Sequence, residues 1–364
     1  MPPTARRQFL KHAAATGAGL AAAGTFPAIA QDTRELKMVT SWPKNFPGLG
    51  TAAARFARRI EQASGGRYRV REFAGGELVH PLKCHDAVQE GTADLYHSAD
   101  YYYQGKHRAY AFFTSVPFGM TPDEVNAWLF HGGGLDLWDE IGAGFGIKHL
   151  PCGNTGPQAG GWFRDPIESL DDLKGLKLRT PGFGGDIFTA LGATVVTLAG
   201  AEILPALEAG TLDAAEWVGP WNDLAFGLHQ VAKHYYFPGF QEPSAVISLG
   251  ISRRFWDELS EADQALFETC ATAENSFNLA EFNSHNADAL RTLVAEHAVQ
   301  VRQYPDEVIR ALGDAAREVL ATVADSDPLA GKVYDSFMGF RDNIRNWTQI
   351  SELAALEKRD VIGW

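Results

Sequence analysis

The chain has 364 residues, with 45% hydrophobic and 21% charged side chains and a mean hydropathy of -0.17. Those proportions exclude a disordered, fibrous or multi-span membrane protein and leave room for two lobes, each with its own core. Lys plus Arg total 32 against 45 Asp plus Glu, a net charge of -13 that repels phosphate backbones and argues for no nucleic-acid partner.

Taken in chain order, residues 1–30 read as an export signal. Arg6-Arg7-Gln8-Phe9-Leu10-Lys11 precedes a small and apolar stretch from Ala13 to Phe26, and Ala28-Ile29-Ala30 supplies an A-x-A cleavage site. The paired arginines resemble a twin-arginine signal, which predicts a periplasmic, soluble mature protein. Gly17-Ala18-Gly19 fits a loose dinucleotide fingerprint, but no strand precedes it. The segment carries three positive charges and no acid, so the mature chain carries -16.

Beyond the signal, Leu36–Thr40 reads as a strand, Ala52–Ala63 as a helix with apolar positions at i, i+3, i+4 and i+7, and Tyr68–Phe73 as an alternating strand. A second helix ends at Ala87-Val88-Gln89-Glu90-Gly91-Thr92-Ala93-Asp94. Shifted by 119 positions the chain reads Ala206-Leu207-Glu208-Ala209-Gly210-Thr211-Leu212-Asp213, again a helix end, a glycine suited to a left-handed cap and a strand start. Strands at Leu176–Arg179 and Thr194–Leu198, with a helix from Asp186 to Leu191, complete the same β-α-β-α-β order in the second half. The expectation is a two-lobe α/β fold with a cleft, of periplasmic-binding-protein type, with a first lobe over 31–152, a second over 153–245 and segments over 246–326 packing on both. From Asp257 to His297 one apolar face would include Leu259, Leu266, Phe267, Cys270, Phe277 and Phe282. Asp306 should start a further helix to Leu320, and 327–364 should be a C-terminal helix with Val333, Phe337, Phe340 and Ile344 on one face, covering either its own lobe or a second copy in a homodimer.

Most chemical motifs fail. His131-Gly132-Gly133-Gly134 has no G-x-S-x-G elbow beside it, and His229 and His234 lack the spacing of a zinc helix. Cys84, Cys152 and Cys270 match no metal pattern, and Cys152 reads as a buried structural thiol. A polar set at strand ends survives: Gln158, Arg179, and Glu216 with Trp217. Ligands bind open α/β sheets beyond the carboxyl ends of the strands, where an arginine offers a planar fork to a carboxylate and oxygen donors suit a hard cation. Tyr101-Tyr102-Tyr103, Phe183 and Trp217 would supply apolar walls. A plain buried salt bridge between Arg179 and Glu216 is the alternative.

The same residues carry a family resemblance. The stretches from Leu173 through Arg179 to Gly182, from Leu207 to Glu216-Trp217 and from Phe113 to Gly119 are similar to solute-binding proteins of tripartite ATP-independent periplasmic (TRAP) transporters. Gln158, Arg179, Glu216-Trp217 and Gln241-Glu242 further resemble the branch that binds 2-oxo acids together with a cation. The resemblance implies that Arg179 receives the ligand carboxylate. It also implies that Gln158, Glu216 and the Trp217 carbonyl hold a sodium ion (calcium in related members), and that Tyr101, Gln158, Trp217 and Glu242 contact the ligand. The implied partners are a small 2-oxo acid such as pyruvate, the membrane permease and a second protomer that exchanges the C-terminal helix. The implied activity is capture without catalysis; a periplasmic enzyme acting on a small carboxylic acid, with Glu216 as base, is the competing reading.

Overall fold

The computed structural model describes residues 33–363, so the export-signal reading of 1–30 lies outside the described residues. In chain order the elements are β1 (Arg34–Thr40), α1 (Leu49–Ala63), β2 (Tyr68–Phe73), α2 (Cys84–Gln89), β3 (Leu95–Ser98), α3 (Pro122–His131), α4 (Gly134–Ala143), β4 (Ile147–Asn154) and β5 (Gly161–Phe163). The second half adds β6 (Lys177–Arg179), α5 (Gly182–Ala190), β7 (Thr194–Val196), α6 (Gly200–Glu208), β8 (Ala214–Ala215), α7 (Pro220–Phe226), β9 (His234–Tyr236) and β10 (Val246–Ser252). The chain closes with α8 (Arg253–Asp257), α9 (Glu261–His297), β11 (Gln300–Arg302), α10 (Asp306–Ala324) and α11 (Pro328–Thr348); the last of these continues through 349–353 into α12 (Ala354–Ile362).

Two sheets result, ordered β2-β1-β3-β10-β4 and β11-β9-β5-β8-β6-β7. In each, the first strand of the repeated unit is flanked by its second and third strands, all parallel. The repeat extends to single bonds. Asp94 Oδ2 accepts from Lys37 N at 2.8 Å in one copy, and Asp213 Oδ2 accepts from Lys177 N at 3.0 Å in the other. Gly91 and Gly210 hold φ of +79° and +69°, which turns the helix end into the strand without the penalty a Cβ would bring. Each unit also receives one antiparallel strand from across the molecule, β10 beside β3 and β5 beside β8. The chain therefore crosses between the sheets at 155–160, again at 237–245, and a third time through the helical segment 253–299.

Helix α9 runs for 37 residues and joins both halves, packing on α1 and β4 at its start and on α7 towards its end. This double duty corrects the single apolar face expected for it. Phe267, Cys270 and Phe282 are buried, but Phe277 is 48% exposed. Its ring lies under the Arg55 guanidinium at 4.4 Å, and Arg55 pairs with the buried Glu274 at 2.7 Å. Helix α10 begins where expected but runs four residues further, to Ala324. The face of α11 also differs from a free association surface. Val333 and Phe337 are buried, with Phe337 packed on Phe112 and Trp128, and Phe340 and Ile344 lie against the same core. The exposed apolar side chains come later, at Trp347, Ile350, Leu353, Leu356, Val361 and Ile362.

Candidate functional site

Arg179 ends β6, the inner strand of the second repeat, and its side chain is fully buried. Nη1 donates to the Glu216 carbonyl at 2.6 Å and to Glu216 Oε2 at 3.2 Å; Nε donates to the Leu198 carbonyl at 3.2 Å. Nη2 reaches the Tyr102 hydroxyl from the first lobe at 3.5 Å, and the guanidinium carbon lies 5.2 Å from the Trp217 ring centre. Burial opposes the charge on Arg179, but Tyr102, Glu216, Tyr101 and Glu242 outweigh it and raise the pKa.

Glu216 and Trp217 follow β8, the strand beside β6, so they emerge next to Arg179. Glu242 and Gln241 lie on the second crossing and Gln158 on the first. The Gln158 N–H donates to the Glu242 carbonyl at 3.0 Å, which ties the two crossings together. The structure thus brings Gln158, Arg179, Glu216, Trp217, Glu242 and Tyr101 to one buried place at the strand ends. Tyr101 stacks edge-on to Tyr102 at 4.8 Å, and its hydroxyl is pushed well above its usual range by burial and by Glu242. Tyr103 does not join them. It turns into the first lobe, where its hydroxyl donates to Ser98 Oγ and its ring meets His85. Phe183 packs on Phe112. Trp42 and Phe46 from the first lobe meet Trp217 edge-on at 6.3 Å.

The expected Arg179–Glu216 pair is present at 3.2 Å, but it leaves much unanswered. Gln158 Oε1, Thr180 Oγ1, Glu216 Oε1, Trp217 Nε1, Gln241 Oε1 and Glu242 Oε2 are buried without a hydrogen-bond partner among the described residues. An unmet buried polar group costs about 1–3 kcal/mol, so such a cluster is not what a plain structural salt bridge needs. Two carboxyls face one guanidinium. Burial raises Glu216 well above the usual carboxylate range, with Glu242 adding to the shift, and it raises Glu242 to about 8 against the pull of Arg179. The set offers a fork for an anion and several hard oxygens. Among the described residues no three His, Cys, Asp or Glu side chains lie close enough to hold a metal, so a cation here would draw on amide and backbone oxygens.

Cys84, Cys152 and Cys270 are free and buried; burial drives the Cys152 thiol well above its usual range, as expected of an inert core residue. Tyr102 and Thr180 were not singled out as polar contributors by sequence. The tyrosine run hid which ring carries the contact, and an orphaned hydroxyl has no sequence signature.

Two α/β halves joined by three crossings, with buried polar groups left open between them, define a two-lobed binding protein. Comparison with known proteins narrows this class. The family described as bacterial extracellular solute-binding protein, family 7 (DctP), matches residues 38–327. A monocarboxylate 2-oxoacid-binding periplasmic protein of Nostoc is 39% identical over 318 residues, 87% of either chain. A TRAP solute-binding protein from Bordetella bronchiseptica, a mixed-occupancy dimer with copurified calcium and picolinate, is 35% identical with a TM-score of 0.88 over 91% of this chain and 98% of its own. One from Pseudoalteromonas atlantica, with bound sodium and pyruvate, is 36% identical with a TM-score of 0.87 over 89% of this chain and 99% of its own. The chain belongs to the DctP family of TRAP solute-binding proteins. It is a transport receptor with the two-lobe α/β fold of that family, which disposes of the enzymatic reading.

Proposed function

We propose that the protein captures a small 2-oxo monocarboxylate such as pyruvate together with a cation, sodium or calcium, and hands it unchanged to a membrane permease. The observation that supports this most is the set of six unpartnered buried polar atoms on Gln158, Thr180, Glu216, Trp217, Gln241 and Glu242. In this reading Arg179 takes the ligand carboxylate. Gln158 Oε1, Glu216 and the Trp217 carbonyl hold the cation, and Tyr101, Gln158, Trp217 and Glu242 line the ligand. A ligand carboxylate beside Glu216 and Glu242 is repelled unless a metal ion lies between them, so ligand and cation bind as a unit. The relatives that carry pyruvate with sodium, or picolinate with calcium, support the pairing. The lobes at 31–152 and 153–245 would close about the crossings, and the twin-arginine signal would place the protein in the periplasm. Among the described residues no helix is long and apolar enough to cross a membrane. Calorimetry with pyruvate tests the reading: binding should occur in sodium or calcium and vanish in cation-depleted buffer. Equal affinity in both would refute it.

A homodimer is the second part of the proposal. Trp347, Ile350, Leu353 and Leu356 form an exposed apolar run on a helix that leaves its own lobe behind, and exchange of this helix between protomers would cover it. Truncation after Thr348 should turn a sedimenting dimer into a monomer; a monomeric full-length protein would contradict it.

A further inference from the structure

The proposed cation site depends on one backbone carbonyl, and the structure contains a group that fixes its direction. Asp223, in the first turn of α7, is fully buried. Its Oδ1 accepts from the Val218 N–H at 3.2 Å, while Oδ2 accepts from Trp162 Nε1 at 2.9 Å and from the Tyr235 hydroxyl at 2.7 Å. The backbone returns the contact, since the Asp223 N–H donates to the Gly219 carbonyl at 2.9 Å. The Val218 N–H and the Trp217 C=O belong to the same peptide unit. That unit is trans, because the one cis bond among the described residues is Phe237–Pro238. In a planar trans peptide the N–H and C=O point in opposite directions. Holding the N–H on Asp223 therefore aims the Trp217 oxygen away from the lobe interior. The neighbouring carbonyls are already engaged, Glu216 by Arg179 Nη1 and Val218 by the Ala159 N–H. A carboxylate on the amide end also polarises the peptide and makes its oxygen a better ligand for a hard cation.

We propose that Asp223 is a positioning residue for cation binding: through the Trp217–Val218 peptide it orients and polarises the Trp217 carbonyl. This rests on the cation reading above. The test measures pyruvate affinity as a function of sodium in the wild type and in Asp223→Asn, which removes the charge. The sodium concentration at half-effect should rise about tenfold in the variant, while affinity at saturating sodium stays within about threefold. Asp100→Asn is the control, because Asp100 is as buried and as fully bonded in the other lobe but touches no proposed cation ligand; it should leave the sodium midpoint in place. Asp223→Asn at the wild-type midpoint, or Asp100→Asn with an equal shift, overturns the inference alone. A wild type indifferent to sodium and calcium overturns the cation reading itself. Should Asp223→Asn fail to fold, Tyr235→Phe decides. It spares the Val218 bond and concentrates the carboxylate charge upon it, so the midpoint should hold or fall; a rise contradicts the proposal.

Discussion

Four of the buried acidic side chains, Asp100, Asp223, Glu216 and Glu242, share similar surroundings and serve opposite ends. Asp100 in the first lobe and Asp223 in the second are each met by hydroxyl and indole donors. Tyr96 and Ser248 bond one oxygen of Asp100, and Trp138 bonds the other. Both aspartates are raised by burial to about 6, with those hydrogen bonds limiting the shift. Glu216 and Glu242, between the lobes, are just as buried, yet each keeps an oxygen without a partner. Burial alone therefore does not mark a site. The difference lies in satisfaction: an acid whose lone pairs are met holds its own lobe together, and one left open has a place for something else.

This contrast can be broken by substitution. Arg179→Ala should have the largest effect, a loss of about 3–5 kcal/mol in ligand binding or more than a hundredfold in affinity, because it leaves the ligand carboxylate and two carboxyls without their guanidinium partner. Arg179→Lys should rescue little, since one ammonium does not replace the fork; calorimetry reads both. Asp100→Ala should come next and act on stability, at about 3 kcal/mol in denaturant unfolding, since Tyr96, Trp138 and Ser248 all lose their acceptor. Glu242→Gln should behave in the opposite way. Stability of the ligand-free protein should stay within about 1 kcal/mol or improve, while pyruvate binding weakens about tenfold. A large stability loss in Glu242→Gln would erase the distinction between the two kinds of acid.

The smallest effect concerns pH. The folded protein holds the Glu242 proton more tightly than the unfolded chain does, because burial raises the group from 4.5 to about 8. Its contribution to stability is therefore full below the ordinary carboxylate range and is lost as pH rises through about 8. Glu216, raised by burial and by Glu242, acts in the same direction. Asp100 and Asp223, at about 6, have lost theirs before pH 7. The ligand-free protein should thus show a Tm that falls between pH 6.5 and 9, and Glu242→Gln should flatten that slope. A wild-type Tm that rises over this range would contradict the assignment.

The duplicated βαβαβ order was legible because its signals are local: a glycine at a helix end, an aspartate at a strand start, and a period that switches between them. That Arg179 and Glu216 would meet was legible for a related reason, since they stand at the ends of the adjacent strands β6 and β8; Gln158 reaches them from the first crossing. Phe277 was misread because α9 serves two lobes and no single periodicity describes it. The face of Val333 and Phe337 was left open between its own lobe and a second copy because apolar spacing alone does not say whose core a helix covers. Asp223 was invisible for a deeper reason. Its meaning rests on Trp162, Tyr235 and the Val218 amide, which only the fold brings together.

The open acids between the lobes should be completed by an anion and a cation at once. Native mass spectrometry of the protein as purified, followed by identification of what denaturation releases, tests this most directly. One unchanged 2-oxo acid and one sodium or calcium ion per chain should be found, lost together in Arg179→Ala. A protein that, given pyruvate and sodium, retains the acid without any metal ion, or releases a chemically altered product, would contradict it.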